Sequence, residues 1–205
     1  KAFSFDLETT SLDPVSAEVV GLSFSWKAGE AVYLPVAHTW DAVPEGQLDR
    51  KPVLDALKPI LENEAIKKTG QNLKYEYAVL QKYSITVRGI ERDSMSFSYL
   101  LHGPTRRHNL DAIANDELER TTITFKEVAG TGKKQLRFDQ VPLEKAGPYA
   151  CEDAEVAWHA AESLGSQLVD VAPLEKLYRE VELPLLTVLA EMELAGALID
   201  RKALE

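Results

Sequence analysis

The chain has 205 residues, 45% of them hydrophobic and 27% charged, enough for one large or two small domains with a true core. A formal net charge of −10 argues against affinity for nucleic acid through bulk electrostatics, and a single cysteine, Cys151, excludes an internal disulfide and any cysteine-based zinc site. No run approaches the length of a membrane span and no secretory segment leads the chain, so the reading is a soluble protein without a membrane partner; its start at Lys1 suggests a piece of a longer polypeptide.

The chain opens on Phe3-Ser4-Phe5-Asp6-Leu7-Glu8-Thr9-Thr10, which begins as a strand and carries two carboxylates at the strand's end. Positions i and i+2 of a strand share a face, so Asp6 and Glu8 can address one hard cation at the mouth of the loop Thr9–Pro14. Taken alone, such a pair more often belongs to a solvated turn. Residues 18–26 and 31–36 read as two further strands of an antiparallel meander, with Pro35 placing the third at an edge. Residues 37–46 read as a polar loop; His38 within it is a metal ligand or, more commonly for a lone loop histidine, structural.

From Gln47 the period becomes helical through Leu54, Leu57 and Leu61. A short strand is expected at 65–69, then Gly70-Gln71-Asn72 leads into a second helix carrying Leu73, Tyr77 and Leu80. Another short strand is expected at 85–90, and Asp93-Ser94 should cap a third helix that ends at Gly103-Pro104. A fourth begins at Asn109. Residues 121–140 are the least regular, a long helix runs from Val141-Pro142 to about Leu164, and a last amphipathic helix carries Leu174 through Met192 and stops at Gly196. A meander followed by alternating helix and strand describes an α/β layered domain with a mixed sheet. Arg106, Arg107, Lys126, Lys133, Lys134 and Arg137 make a modest basic surface, interleaved with acids.

Two later acids give Asp6 and Glu8 company. Asn72 and Glu76 share a helix face, as do Tyr149 and Asp153. Each pair has an ordinary alternative: Asn72 a cap with Glu76 exposed, Tyr149 a core aromatic with Asp153 solvated. Glu64 is a further acid nearby but precedes a strand.

Together these motifs resemble the proofreading 3′→5′ exonuclease domain of bacterial family A DNA polymerases, the polymerase I type, within the DEDD (DnaQ-like) superfamily in its tyrosine variety. Asp6-Leu7-Glu8-Thr9, Gly70-Gln71-Asn72-Leu73-Lys74-Tyr75 and Tyr149-Ala150-Cys151-Glu152-Asp153-Ala154 match its three motifs. Pro35-Val36-Ala37-His38, Arg107-His108-Asn109-Leu110-Asp111 and Thr122-Ile123-Thr124-Phe125 fit between them, so that the likeness covers residues 3–165. The resemblance implies a ribonuclease H-like fold, an exonuclease domain over residues 1–170, and a helical linker with the start of a truncated polymerase domain over 171–205. It also implies hydrolysis at single-stranded or frayed DNA 3′ ends, release of nucleoside monophosphates, a covalently linked polymerase domain in the full-length protein, no polymerase activity in this stretch, a monomer, and a bacterial cytoplasmic, nucleoid-associated location.

By the same resemblance two divalent ions, Mg²⁺ or alternatively Mn²⁺, are held by Asp6, Glu8, Glu76 and Asp153, with Asp6 bridging them and Tyr149 orienting the nucleophilic water. Thr9, Leu12, Asn72, Tyr75 and Phe125 match positions that meet the substrate strand, Leu12 and Phe125 against the terminal bases. One departure stands out: the family has aspartate where this chain has Glu76, longer by about 1.5 Å. The expectation is weakened activity with magnesium and less impairment with manganese; the alternative is an exonuclease-fold module kept for a structural or strand-binding role.

Overall fold

A computed structural model describes residues 1–39 and 47–204; part of the expected polar loop, residues 40–46, lies outside the described residues. Five strands, β1 (Ala2–Thr9), β2 (Val19–Lys27), β3 (Glu30–Pro35), β4 (Lys67–Gly70) and β5 (Ile90–Asp93), form one mixed sheet in the order β3-β2-β1-β4-β5. β1 to β3 pair antiparallel as the meander reading requires, β3 lies at the edge that Pro35 predicts, and β4 and β5 join parallel through crossovers.

The two faces of the sheet differ because β1 alternates. Phe5 and Leu7 point to one side and pack with Leu22 and Phe24 under the helices α1 (Arg50–Leu61) and α2 (Leu73–Gln81). Ser4, Asp6 and Glu8 point to the other, in register with Ser25, Ser23 and Gly21 of β2. Across that small and polar face lies the long helix α6 (Leu143–Val169), whose Ala150, Ala154 and Ala157 are fully buried. Small residues on both sides let the helix come close to the strands. The helices α3 (Ser94–His102), α4 (Leu110–Leu118) and α5 (Phe125–Ala129) pack against α6.

Several local expectations are corrected. The strand expected at 65–69 is Lys67–Gly70, and the one expected at 85–90 is Ile90–Asp93. Gly89 explains the second shift: its φ of +70° and its packing on the carbonyls of Glu64 and Ile66 end an irregular approach in which the Arg88 amide bonds Leu61 instead of a strand. The last amphipathic helix is broken into α7 (Ala172–Leu177), a π-turn at Tyr178–Glu182, and α8 (Leu183–Ala195). Pro184 has no amide for the preceding turn, and the wider turn absorbs that loss. A short helix, α9 (Arg201–Leu204), follows. No described helix is long and apolar enough to cross a membrane. Cys151 is half-buried.

Candidate active site

β1 runs into the centre of the sheet, and its last turn delivers the carboxylates. Ligand oxygens of Asp6, Glu8 and Asp153 all lie within 4.8 Å of one another. Asp6 and Glu8 reach the point from the strand and Asp153 from the helix laid over it. Glu76 comes from the side: β4 ends at Gly70, so the edge of β1 beyond Ser4 carries no strand partner there, and the Leu7 amide faces the Glu76 carboxylate. Glu76 is buried, 3% exposed, yet is not one of the three clustered acids. Glu64 is exposed and outside the group.

Four acids in so small a space cannot all be comfortable as anions. Burial pushes Asp6 from 3.8 to about 7. Glu8 is raised by burial and then by the charges of Asp6, Asp153 and Glu76. Asp153 is raised by burial and by Asp6, against a lowering hydrogen bond from Tyr149. Glu76 is raised by burial and by Asp6, with backbone amides opposing. Glu8 Oε1 and Glu76 Oε2 are buried without a hydrogen-bond partner among the described residues. Orphaned carboxylate oxygens in a charge-crowded pocket are what a hard divalent cation satisfies, and this donor set fits one.

Helix geometry places Tyr149 one turn before Asp153. Burial and the surrounding acids hold its phenol far above the ordinary range, so it is neutral throughout physiological pH. Its ring sits among Phe138 at 5.8 Å and Phe125 at 6.3 Å. Phe125, 37% exposed, opens α5 after a capping box at Thr124 and Glu127. Leu12 is 96% exposed in the loop after β1, an unusual setting for leucine. Tyr75 donates to the Ser11 carbonyl and its hydroxyl meets Thr9 Oγ1, tying that loop to α2.

Asn72 occupies the N-cap position of α2 but makes no capping bond; with φ of 57° it is left-handed. The cap comes instead from Asp93, whose Oδ2 accepts from the Leu73 amide at 2.6 Å while Oδ1 accepts from Ser96 at 2.8 Å. One carboxylate thus fixes the starts of α2 and α3. The motif spacing gave the second of these bonds only, because the first joins residues 20 apart. His38 is 2% exposed, with both ring nitrogens taken by Tyr33 and the Val141 carbonyl, so it is structural rather than a ligand. The basic surface is partly neutralised: Arg106 pairs with Asp116 and Glu117, and Arg137 with Asp139.

A sequence profile described as 3′-5′ exonuclease matches residues 1–169. DNA polymerase I of Pseudomonas aeruginosa is 46% identical over 203 residues, covering 98% of this chain and 22% of its own length. The chain therefore spans about a fifth of that curated relative. Among solved structures, the POL domain of Pol1 from M. smegmatis, in complex with DNA primer-template and dNTP, superposes with a TM-score of 0.73 at 22% identity, over 98% of this chain and 30% of that one. Brucella melitensis NrnC with bound Mg²⁺ gives 0.64 at 18% identity, over 97% and 89%. These folds agree with a ribonuclease H-like α/β layer, and with the profile match extending over most of its length the chain belongs to the 3′-5′ exonuclease family.

Proposed function

We propose that this protein is the proofreading exonuclease module of a DNA polymerase I, hydrolysing phosphodiester bonds at single-stranded or frayed DNA 3′ ends to release nucleoside monophosphates. The observation that carries the reading is the meeting of Asp6, Glu8 and Asp153 from two separate elements, with the Tyr149 phenol one turn from Asp153. On this reading Asp6, Glu8, Asp153 and Glu76 hold two divalent ions, Mg²⁺ or Mn²⁺. Such ions, when bound, acidify the attacking water and neutralise charge on the leaving oxygen.

The chain's own groups do the rest. Tyr149, neutral and hydrogen-bonded toward Asp153, orients the water and does not act as a base. Exposed Leu12 and half-exposed Phe125 meet the terminal bases by packing that ignores sequence. Thr9, Asn72 and Tyr75 line the path of the strand, the Tyr75–Thr9 contact holding the loop in place. Residues 1–170 form the exonuclease unit and 171–205 lead toward a polymerase domain; the molecule is a monomer in the bacterial cytoplasm, near the nucleoid.

Glu76 motivates a second reading, a module with weakened catalysis. It lies beside the cluster with an unpaired Oε2, outside the three gathered acids. Digestion of 5′-labelled single-stranded DNA tests both, with Mg²⁺ or Mn²⁺, beside Asp6→Ala and Glu76→Asp. A ladder shortening from the 3′ end and lost in Asp6→Ala supports the exonuclease. No ladder in either metal, restored by Glu76→Asp, favours the weakened module. An RNA substrate cut as fast as DNA counts against a proofreading role.

A further inference from the structure

The hydrogen-bond chain Val141–His38–Tyr33 runs behind the carboxylates. His38 Nδ1 lies 3.2 Å from the Val141 carbonyl, which can only accept, so Nδ1 carries the proton. In a neutral imidazole Nε2 is then an acceptor, and the Tyr33 hydroxyl 2.7 Å away donates to it. Burial favours the neutral ring.

Tyr33 belongs to the row Asp6–Ser23–Tyr33 across three strands. Its ring leans along the sheet over Gly21: a Cβ on Gly21 would stand 2.1 Å from Tyr33 Oη. Gly21 is the direct cross-strand partner of Glu8. Opposed Cβ positions lie about 5 Å apart, so the phenol end stands within side-chain reach of the Glu8 carboxylate. Glu8 is also the nearby charge that acts most strongly on that phenol. Even so, Glu8 Oε1 has no hydrogen-bond donor among the described residues.

We infer that His38 is a positioning residue: it holds the Tyr33 proton away from Glu8 and so keeps the Glu8 carboxylate free to ligate a cation. Without the His38 acceptor, the Tyr33 hydroxyl is released to turn to Glu8 Oε1, an unpaired acceptor within its reach, and competes with the metal there. This inference rests on the exonuclease reading for its metal and for Glu8 as a ligand, and adds His38 and Tyr33, which that reading does not assign to the site.

The test is calorimetric titration of Mn²⁺ into wild type, His38→Asn, Tyr33→Phe, their double variant and Asp6→Ala, with steady-state digestion of single-stranded DNA alongside. Asparagine keeps a donor where Nδ1 bonds Val141 and has no acceptor where Nε2 stood. Removing an outer partner of a metal ligand typically costs about 10–100-fold in affinity. His38→Asn should weaken Mn²⁺ by about tenfold and lower kcat with KM for DNA unchanged. Adding Tyr33→Phe to it should restore most of that loss, which a merely structural histidine would not permit. Tyr33→Phe alone, which keeps the ring and removes only the hydroxyl, should bind Mn²⁺ within about threefold of wild type. Wild-type affinity in His38→Asn, no recovery in the double variant, or a tenfold loss in Tyr33→Phe overturns the inference; the last decides even where His38→Asn does not fold. Failure of the exonuclease reading looks different: wild type then binds Mn²⁺ no better than Asp6→Ala and shortens no DNA.

Discussion

Replacing Asp6 by asparagine should make the metal-free protein more stable at pH 8 while destroying the candidate metal centre. In the folded chain Asp6 titrates near 7 and its ordinary value is 3.8, a rise of about 3 units. At about 1.36 kcal/mol per unit, holding the anion in place costs roughly 4 kcal/mol at high pH. Asp6 keeps some contact with solvent and shares its protons with Glu8, Glu76 and Asp153, so about half that is the working figure. For a chain of this size 1 kcal/mol moves Tm by about 2–4 °C, which gives a gain of roughly 4–8 °C.

The sign follows from the direction of the shift. A group whose folded pKa is raised contributes stability below its ordinary pKa and loses it as pH rises through the folded value. The chelated wild type should therefore lose stability between pH 6.5 and 8, and Asp6→Asn should lose less. His38 and His102 titrate below the ordinary value and act oppositely as pH falls, which sets the lower bound of the window at about 6.5. Thermal unfolding in EDTA, repeated with saturating Mn²⁺, is the assay. Divalent ion should raise the wild-type Tm at pH 8 and leave Asp6→Asn nearly unmoved. A variant that melts below wild type in EDTA at pH 8 would refute the argument that unpaired charge dominates this pocket.

Asp93→Ala removes the acceptor from two helix starts and should cost roughly 2–4 kcal/mol, read from denaturant unfolding, where a loss under 1 kcal/mol would mean water replaces both bonds. Gly21→Ala puts a methyl 2.1 Å from Tyr33 Oη and should destabilise by about 1–3 kcal/mol, a loss that Tyr33→Ala should partly relieve if the clash is the cause. Glu76→Asp should raise turnover with Mg²⁺ more than with Mn²⁺, because magnesium demands near-ideal octahedral geometry; equal Mg²⁺ turnover in the two proteins would sink the weakened-site idea.

The alternation of Phe3 to Glu8 sufficed to place two acids on one face of a strand, because strand period is local and needs no partner. The same holds for the one-turn spacing of Tyr149 and Asp153, for Pro35 at an edge, and for the Asp93 cap on α3. What local patterns could not give were contacts between distant residues. The gathering of Asp153 with Asp6 and Glu8 depends on a small-residue face at Ser23, Ser25 and Gly21 meeting the alanines of α6. The second bond of Asp93, to Leu73, depends on β5 ending beside α2. The strand expected at 85–90 failed because Gly89 turns the chain toward carbonyls more than 20 residues away. Local sequence thus determined which chemical groups lie on each face of each element, since backbone geometry alone fixes those faces. Only the tertiary structure decided which faces meet, how deeply the four acids are buried, and hence that their charges are strained, because desolvation belongs to the assembled layers and to no single residue.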